Sequence, residues 1–225
     1  NSFLGRSSMK IIIFGTGDLS KQLYYYIKKE QEYQVKYFCV NKEYFIDSEF
    51  MGEKVITFEE CIKELSPTEY KFIIGVGYKK MRMRKKIFNL IKAAGFELIN
   101  YVSPYAIVHG QIQGEGNIIL SNVIVEPYTI INDNNIIWSN STICHDVVIG
   151  KHNFIAANSV VGGFSKVGEN NFIGFNSTIK DNIVIDNEVL IGANSLVVKS
   201  PENFSLYYGS PARKISEHYE NGIEI

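Results

Sequence analysis

A six-residue repeat of β-branched residues constrains this chain more than any other feature of its sequence. From Ile119 onward, every sixth residue is Ile or Val over fourteen consecutive positions. The set is Ile119, Val125, Ile131, Ile137, Ile143, Ile149, Ile155, Val161, Val167, Ile173, Ile179, Ile185, Ile191 and Val197. A period of six matches neither an α-helix nor one long strand, and it is typical of a parallel β-helix built from hexapeptides. We therefore predict a triangular prism over residues 106–198, with these residues pointing inward because β-branched side chains pack well on a pleated wall.

A second pattern lies in the same phase. The position three residues after the inward one is rich in Asn, which tolerates the left-handed backbone and can hydrogen-bond its own main chain. These residues are Asn122, Asn134, Asn140, Asn158, Asn170, Asn176, Asn182 and Asn194. We predict that they form the corners of the prism and that His152, in the same phase, is a corner residue too.

The chain before the prism alternates between strand and helix patterns. Strands are predicted at residues 10–14, 35–40, 53–56, 71–76 and 97–102, and helices at residues 19–29, 57–65 and 79–94. This order predicts a Rossmann-like α/β domain with a small parallel sheet, followed by the all-β parallel β-helix. We assign residues 1–8 to a cloning remnant, 9–103 to the α/β domain, 104–215 to the β-helix domain and 216–225 to a tail.

Composition excludes several classes of protein. The 225 residues are 45% hydrophobic and carry a net charge of −1, which gives neither a nucleic-acid-binding nor a disordered profile. No apolar run is long enough to span a bilayer. The odd number of cysteines, Cys39, Cys61 and Cys144, lacks metal-binding spacing and suits reduced thiols in a cytoplasmic protein. We expect no nucleic acid, membrane or metal partner.

The first candidate site is a Gly-rich turn, Gly15-Thr16-Gly17-Asp18-Leu19-Ser20. It follows a strand and opens a helix, as a phosphate-binding turn does. Ser20 replaces the third Gly of a dinucleotide fingerprint, and no acidic residue ends the second strand, which argues against NAD. A nucleotide or nucleotide-sugar diphosphate fits the turn, and a tight turn without a ligand is the alternative.

The second candidate site is Gly75-Val76-Gly77-Tyr78 with the basic helix that follows it. Ligands gather at the carboxyl ends of parallel strands, so this turn should lie beside the first one. The basic residues either face phosphates or form a solvated helix surface. They are Lys79, Lys80, Arg82, Arg84, Lys85 and Lys86.

The third candidate site is His145-Asp146 in the prism. An imidazole titrates near neutral pH, so it can accept a proton from an attacking amine or hydroxyl. The neighbouring carboxylate can fix the tautomer and raise the basicity of the ring. An inert surface histidine is the alternative.

Taken together, these segments resemble a known family. The prism, the Gly-rich α/β domain and Gly209-Ser210-Pro211-Ala212-Arg213 resemble the bacterial nucleotide-sugar N-acetyltransferases. Bacillosamine-pathway enzymes and sialic acid O-acetyltransferases belong to these hexapeptide-repeat acyltransferases. The segment His145-Asp146-Val147-Val148-Ile149-Gly150 is similar to the family's catalytic segment. The resemblance covers nearly all of residues 9–215, and it implies a left-handed β-helix and a homotrimer.

The resemblance also implies roles for residues. His145 is the general base and Asp146 strengthens it, while acetyl-CoA lies along the prism between two subunits. The implied nucleotide-sugar contacts are Gly15, Gly17, Asp18, Leu19, Asn41, Lys42, Gly77, Tyr78 and Met81. The implied acetyl-CoA contacts are Phe154, Gly163, Phe175 and Ala193.

The function favoured by this reasoning is acetyl-CoA-dependent N-acetylation of a UDP- or dTDP-linked 4-amino-4,6-dideoxy sugar. O-acetylation of a sialic acid is a near alternative. A non-catalytic prism that serves as a binding or scaffold protein is an alternative of another class, although the histidines lack the arrangement of a zinc site. An NAD-dependent sugar enzyme is disfavoured by the incomplete fingerprint.

Overall fold

The computed structural model describes residues 9–30 and 33–225, and the predicted cloning remnant lies outside the described residues. The chain divides into two units. The first runs to Gly77 and includes Ile87–Ile99, and the second comprises Tyr78–Lys86 and Asn100–Ile225.

The first unit is built on a five-stranded sheet. Its elements are β1 (Met9–Phe14), α1 (Asp18–Glu30), β2 (Tyr33–Val40), β3 (Glu49–Phe50), β4 (Glu53–Thr57), α2 (Phe58–Glu64) and β5 (Tyr70–Ile74), with the later part of α3 (Met81–Ala93). The strand order is β3-β4-β2-β1-β5, with every pairing parallel except β3 with β4. Thr57 caps α2 in a reciprocal capping box with Glu60. The predicted Rossmann-like alternation of strands and helices is confirmed.

The predicted strand at residues 97–102 is wrong as a single element. Leu98 forms an isolated parallel bridge with Phe72, whereas β6 (Tyr101–Val102) pairs with a strand of the prism. Asn100 divides the two, because its side-chain carbonyl accepts hydrogen bonds from the backbone N–H of Asn117 at 2.9 Å and from its side chain at 3.1 Å. The apolar run therefore ends one sheet and starts another.

The second unit is a left-handed parallel β-helix with three faces. The first face contains β7 (Ile107–Val108), β10 (Ile124–Val125), β13 (Thr142–Ile143), β16 (Val160–Val161), β19 (Thr178–Ile179) and β22 (Leu196–Val197). The second contains β8 (Gln111–Ile112), β11 (Ile130–Ile131), β14 (Val148–Ile149), β17 (Lys166–Val167) and β20 (Val184–Ile185). The third contains β6, β9 (Ile118–Ile119), β12 (Ile136–Ile137), β15 (Phe154–Ile155), β18 (Phe172–Ile173), β21 (Leu190–Ile191) and the closing hairpin β23 (Ser205–Gly209) and β24 (Ala212–Glu217).

The inward and corner predictions are confirmed. All fourteen Ile and Val residues of the repeat are at most 2% exposed. The eight corner Asn residues have φ between +56° and +63°, and His152 has φ +61°. Each buried aliphatic side chain contributes about 1.5–3 kcal/mol relative to an exposed one, so the repeat supplies the core of the prism.

A buried ladder of amides runs along one corner, and the six-residue reading missed it. Asn117, Asn135, Asn153 and Asn171 are stacked one coil apart and at most 1% exposed. The side-chain carbonyl of Asn153 accepts from the backbone N–H of Asn171 at 2.9 Å and from its side chain at 3.1 Å. The signal for this ladder is a period of eighteen residues, which is one full coil.

None of the helices in the described part of the chain is long and apolar enough to cross a membrane.

Candidate active site

The His145 edge, as we name the corner between the first and second faces, carries the predicted catalytic pair. His145 follows β13, and Asp146 forms the corner with φ +59°. The imidazole Nδ1 lies 3.0 Å from Asp146 Oδ2, and the His145 side chain is 50% exposed. The backbone N–H of His145 donates to Glu126 Oε2 at 2.8 Å, so a residue one coil earlier steadies the turn. The predicted pair is therefore formed and reachable by a ligand.

The other ring nitrogen of His145 is free to act as a base. Nε2 has no hydrogen-bond partner among the residues described by the structure. A carboxylate beside Nδ1 favours the tautomer with the proton on Nδ1, which leaves a lone pair on Nε2. Phe164 meets the ring edge-on with centroids 5.1 Å apart. The space beside Nε2 depends on Gly163, because a Cβ there would lie 3.1 Å from that nitrogen.

The four predicted acetyl-CoA residues are not brought together within one chain. Gly163 lies at the His145 edge, whereas Phe175 and Ala193 lie one coil apart after β18 and β21, at the edge between the third and first faces. Phe175 is 43% exposed and Ala193 is also exposed. The first face separates these two groups.

Phe154 lies elsewhere and is covered by its own chain. It is 2% exposed, stacks on Phe172 with centroids 5.3 Å apart and contacts Trp138. The ring of Tyr78 packs against it at 4.6 Å. A side chain predicted to bind acetyl-CoA and one predicted to bind the nucleotide sugar are thus in contact with each other. The side chain of Phe154 is not on the surface of the single chain, because Tyr78 and Trp138 pack over it.

Met81 is also buried, at 1% exposure. Its backbone N–H donates to the carbonyl of Ile223 at 3.2 Å. The sugar contact predicted for this side chain is not available on the surface of the chain as described. The sequence offered no signal for this burial, because the residues that pair with the segment lie more than a hundred positions away.

The two Gly-rich turns of the first unit adjoin each other, as predicted. Ser20, at the position of the third Gly, donates from its hydroxyl to the carbonyl of Gly75 at 3.1 Å. A Cβ on Gly75 would lie 2.0 Å from that hydroxyl oxygen, so the close approach requires glycine. Gly15 has φ +113°, and Gly17 and Asp18 are exposed where α1 begins. Leu19 is buried at 7% exposure, which leaves its backbone as the group a ligand could reach.

A cavity of about 180 Å³ opens beside the first turn. It is lined by Thr16, Val40, Tyr44, Ile46, Asp47, Glu49, Phe50 and Val55. The predicted residues Asn41 and Lys42 come directly after Val40. A larger cavity of about 390 Å³ includes Tyr33 and Gln34, where β2 starts. Ligands of parallel sheets bind at the carboxyl ends of the strands, so the smaller cavity is the better candidate.

The basic residues at the start of α3 are engaged within the second unit. Lys85 pairs with Glu169 at 2.9 Å, and Arg82 pairs with Glu188 at 2.9 Å. Arg84 is 1% exposed, and burial lowers its pKa to about 9. The expectation that these residues face phosphates or solvent is wrong for Arg84, which is buried, whereas Arg82 and Lys85 stay partly exposed while pairing with carboxylates of the prism.

His152 is a structural corner rather than a second catalytic histidine. It is 3% exposed, and its Nδ1 lies 2.9 Å from the side-chain nitrogen of Asn134. Burial, followed by the charge of Lys85, lowers the pKa of His152 to about 4. The described residues contain no group of three His, Cys, Asp or Glu side chains placed to hold a metal ion.

Two family models match the sequence of this chain. Residues 10–100 match the PglD N-terminal domain, and residues 128–163 and 164–199 match the bacterial transferase hexapeptide. The chain joins a PglD N-terminal domain to bacterial transferase hexapeptide repeats. The predicted family resemblance is thereby confirmed in both domains and in the fold. No curated protein was found that matches the chain in sequence.

Solved structures share the architecture along almost the whole chain. The acetyltransferase domain of PglB from Neisseria gonorrhoeae FA1090, in complex with acetyl coenzyme A, is 21% identical with a TM-score of 0.82, covering 93% of this chain and 100% of that one. PerB from Caulobacter crescentus, in complex with CoA and GDP-perosamine, is 23% identical with a TM-score of 0.82, covering 92% and 97%. WeeI from Acinetobacter baumannii AYE is 16% identical with a TM-score of 0.62, covering 92% and 100%. The fold of almost the whole chain is therefore one that these solved structures share.

Proposed function

We propose that this protein is an acetyl-CoA-dependent N-acetyltransferase that acts on the amino group of a nucleotide-linked 4-amino-4,6-dideoxy sugar. The observation that carries the proposal is the exposed His145–Asp146 pair with a free Nε2 beside Gly163. Similar proteins of the same domain order support it, since PglB was solved with acetyl coenzyme A and PerB with CoA and GDP-perosamine.

The proposed chemistry is direct transfer. The amine nitrogen attacks the thioester carbonyl of acetyl-CoA, and the C–S bond then breaks as the new C–N bond is kept. CoA leaves as a thiolate, which takes up a proton to become the free thiol. His145 Nε2 accepts the proton that the amine releases, and Asp146 stabilises the charged ring through Nδ1. The backbone N–H of Gly163, which has no hydrogen-bond partner among the described residues, is the candidate donor to the oxygen that becomes negative. No side chain needs to carry the acetyl group, so an acyl-enzyme is not expected.

The proposed acetyl-CoA site requires two copies of the chain. Gly163 and His145 of one copy would face Phe175 and Ala193 of the next, since the two groups lie on different edges of the prism. A closed cyclic trimer provides three such junctions. Phe154 lies on the third face and is covered by its own chain, so we assign it no direct contact with acetyl-CoA.

The proposed acceptor site lies in the PglD N-terminal domain. The diphosphate would meet the backbone of Gly17 and Asp18, which are exposed at the start of α1, whereas the N–H of Gly15 already donates to the carbonyl of Cys39 at 2.7 Å. The base would enter the 180 Å³ cavity, which adds Tyr44 and Phe50 to the predicted Asn41 and Lys42. Gly77 and Tyr78 remain our predicted contacts to the sugar. A UDP- or dTDP-linked sugar remains our prediction for the nucleotide.

The experiment that tests this function measures thiol release from acetyl-CoA. Purified protein is given UDP-, dTDP- and GDP-linked 4-amino-4,6-dideoxy sugars, a free sialic acid and no acceptor. We expect release with a nucleotide amino sugar and a product heavier by one acetyl group. Release with sialic acid alone would support the O-acetyltransferase instead. Absence of thiol release with every acceptor in the panel would favour the scaffold alternative.

A further inference from the structure

The C-terminal residues form a strap against the segment that follows the second Gly-rich turn. We define the strap as residues 217–225. Within the second unit, Ile225 donates its N–H to Lys79 at 3.2 Å, Met81 donates to Ile223 at 3.2 Å, and Lys80 forms an antiparallel bridge with Glu224. Ile223 is 2% exposed. The strap therefore pairs with the backbone at the start of α3 as an added strand would.

Arg82 joins the strap to the prism. Its Nε and Nη2 lie 3.0 Å and 2.9 Å from Glu188 Oε2. Its Nη1 donates to the carbonyl of Glu220 at 2.7 Å and its Nη2 to that of Tyr219 at 3.0 Å. One planar guanidinium thus binds a carboxylate of the prism and two carbonyls of the strap, a pattern that Lys cannot reproduce.

The strap is shaped to admit this guanidinium. Gly222 has φ +69°, and a Cβ there would lie 2.6 Å from Arg82 Nε. His218 Nε2 lies 2.7 Å from the carbonyl of Glu188, and the ring of Tyr219 packs on Phe204 at 5.4 Å. Arg82 therefore holds the carboxylate of Glu188, and His218 holds its backbone carbonyl.

The segment held by the strap is one that the proposed reaction uses. Tyr78 directly precedes Lys79, and its ring lies on Phe154 and Phe172. Hydrogen bonds at Lys79, Met81 and Arg82 fix the backbone over the next turn. Segments with few such bonds open locally at little cost in free energy. Without the strap, Lys79, Lys80 and Met81 would lose their backbone partners in residues 223–225.

We propose that Arg82 is a positioning residue for the acceptor sugar and that it acts by clamping the strap over residues 79–82. This inference rests on the proposed function, because it assigns residues 77–78 to the acceptor site. Arg82 itself points to Glu188 and the strap rather than to a ligand. Its loss should therefore weaken acceptor binding and leave the His145 edge unchanged.

Two measurements on the full chain test the proposal. Arg82→Gln, Arg82→Lys and wild type are compared with Arg213→Gln as the control, because Arg213 is exposed and its one hydrogen bond goes to the adjacent carbonyl of Ala212. The first measurement is amide hydrogen exchange at residues 79–82. We expect about tenfold faster exchange in Arg82→Gln, a smaller change in Arg82→Lys and none in the control, since hydrogen bonds to a charged group are lost.

The second measurement separates the two substrates. In Arg82→Gln the KM for the nucleotide amino sugar should rise about tenfold, while the KM for acetyl-CoA and the thermal midpoint stay near wild type, with partial recovery in Arg82→Lys. Wild-type exchange at residues 79–82 in Arg82→Gln would overturn the clamp. An equal rise in both KM values, or an unchanged sugar KM, would overturn the positioning role. Absence of transfer by wild type with every acceptor would instead overturn the proposed function, and the exchange measurement would still decide the clamp.

Discussion

At the scale of single residues, the candidate active site depends on what surrounds His145 as much as on the histidine itself. The carboxylate of Asp146, the adjoining corner residue, lies beside Nδ1 of the His145 ring. The carboxylate of Glu126, one coil earlier, accepts a hydrogen bond from the backbone N–H of His145. Gly163, one coil later, leaves space at Nε2. The parallel coils thus bring Glu126, nineteen positions before His145, and Gly163, eighteen positions after it, to the same ring.

Gly163→Ala should impair this arrangement without unfolding the prism. The added Cβ would lie 3.0 Å from Cε1 and 3.1 Å from Nε2, so the imidazole must shift by a few tenths of an ångström. Because proton transfer requires close alignment, we expect kcat to fall about tenfold or more with a near wild-type thermal midpoint. Steady-state kinetics and circular dichroism measure both quantities. A wild-type kcat in Gly163→Ala would mean that the position of the His145 ring beside residue 163 does not affect turnover.

His152 should make stability depend on pH. The pKa of His152 in the folded chain is about 4. Burial is the main cause of this low pKa, the positive charges of Lys85 and Arg84 add to it, and the negative charges of Glu169 and Asp133 oppose it. The ordinary value is near 6.5, so the unfolded chain binds more protons between pH 4 and 6.5. The free energy of unfolding should therefore fall by up to about 3 kcal/mol as pH drops through this window.

His152→Asn should flatten that dependence, since Asn suits the left-handed corner and does not titrate. Denaturant unfolding at pH 4.5 and pH 7 measures the difference. The exposed His109 provides the matched control, and His109→Asn should keep the wild-type slope. If the free energy of unfolding changed equally with pH in His152→Asn and in wild type, His152 would not be the source of the pH dependence.

At the scale of elements, each two-residue strand of the repeat has one wall residue and one outer residue. In β20, Ile185 is fully buried, whereas Val184 is 48% exposed. Ile185→Asp would bury an unpaired charge and should cost at least about 3 kcal/mol in the free energy of unfolding. Val184→Asp, one position away, should change it by less than about 1 kcal/mol. Denaturant titrations measure the free energy of unfolding of both variants. An equal loss in the two would mean that the inward residues of the repeat do not form the core.

The elements also set the limit of what sequence reasoning predicts. The repeat predicts the prism and its corners because one hexapeptide carries its own inward residue and its own turn. The amide ladder from Asn117 to Asn171 escaped because its period is a whole coil. The burial of Met81 and Phe154 escaped for a different reason, since their partners Ile223 and Tyr78 are set by tertiary contacts and not by any local pattern. His145 and Asp146 were found because adjacent residues carry the pair.

At the scale of the whole molecule, we expect a homotrimer. The His145 edge and the edge with Phe175 and Ala193 lie on opposite sides of the first face, so a single chain holds two incomplete halves of the proposed acetyl-CoA groove. Phe164 and Phe175 expose 55% and 43% of their surface near these edges. Light scattering at micromolar concentration should give three times the mass of the chain. A single-chain mass together with full activity would contradict the shared groove.

The most direct test of His145 as the general base is the turnover of His145→Ala with acetyl-CoA and a nucleotide amino sugar. We expect kcat to fall by roughly 10² to 10⁴-fold, the usual contribution of a positioned general base, with the fold and the oligomeric mass unchanged. Because His109 is exposed, His109→Ala serves as the control and should keep wild-type turnover. Near wild-type turnover in His145→Ala, or an acetylated protein that accumulates with acetyl-CoA alone, would contradict direct transfer by His145.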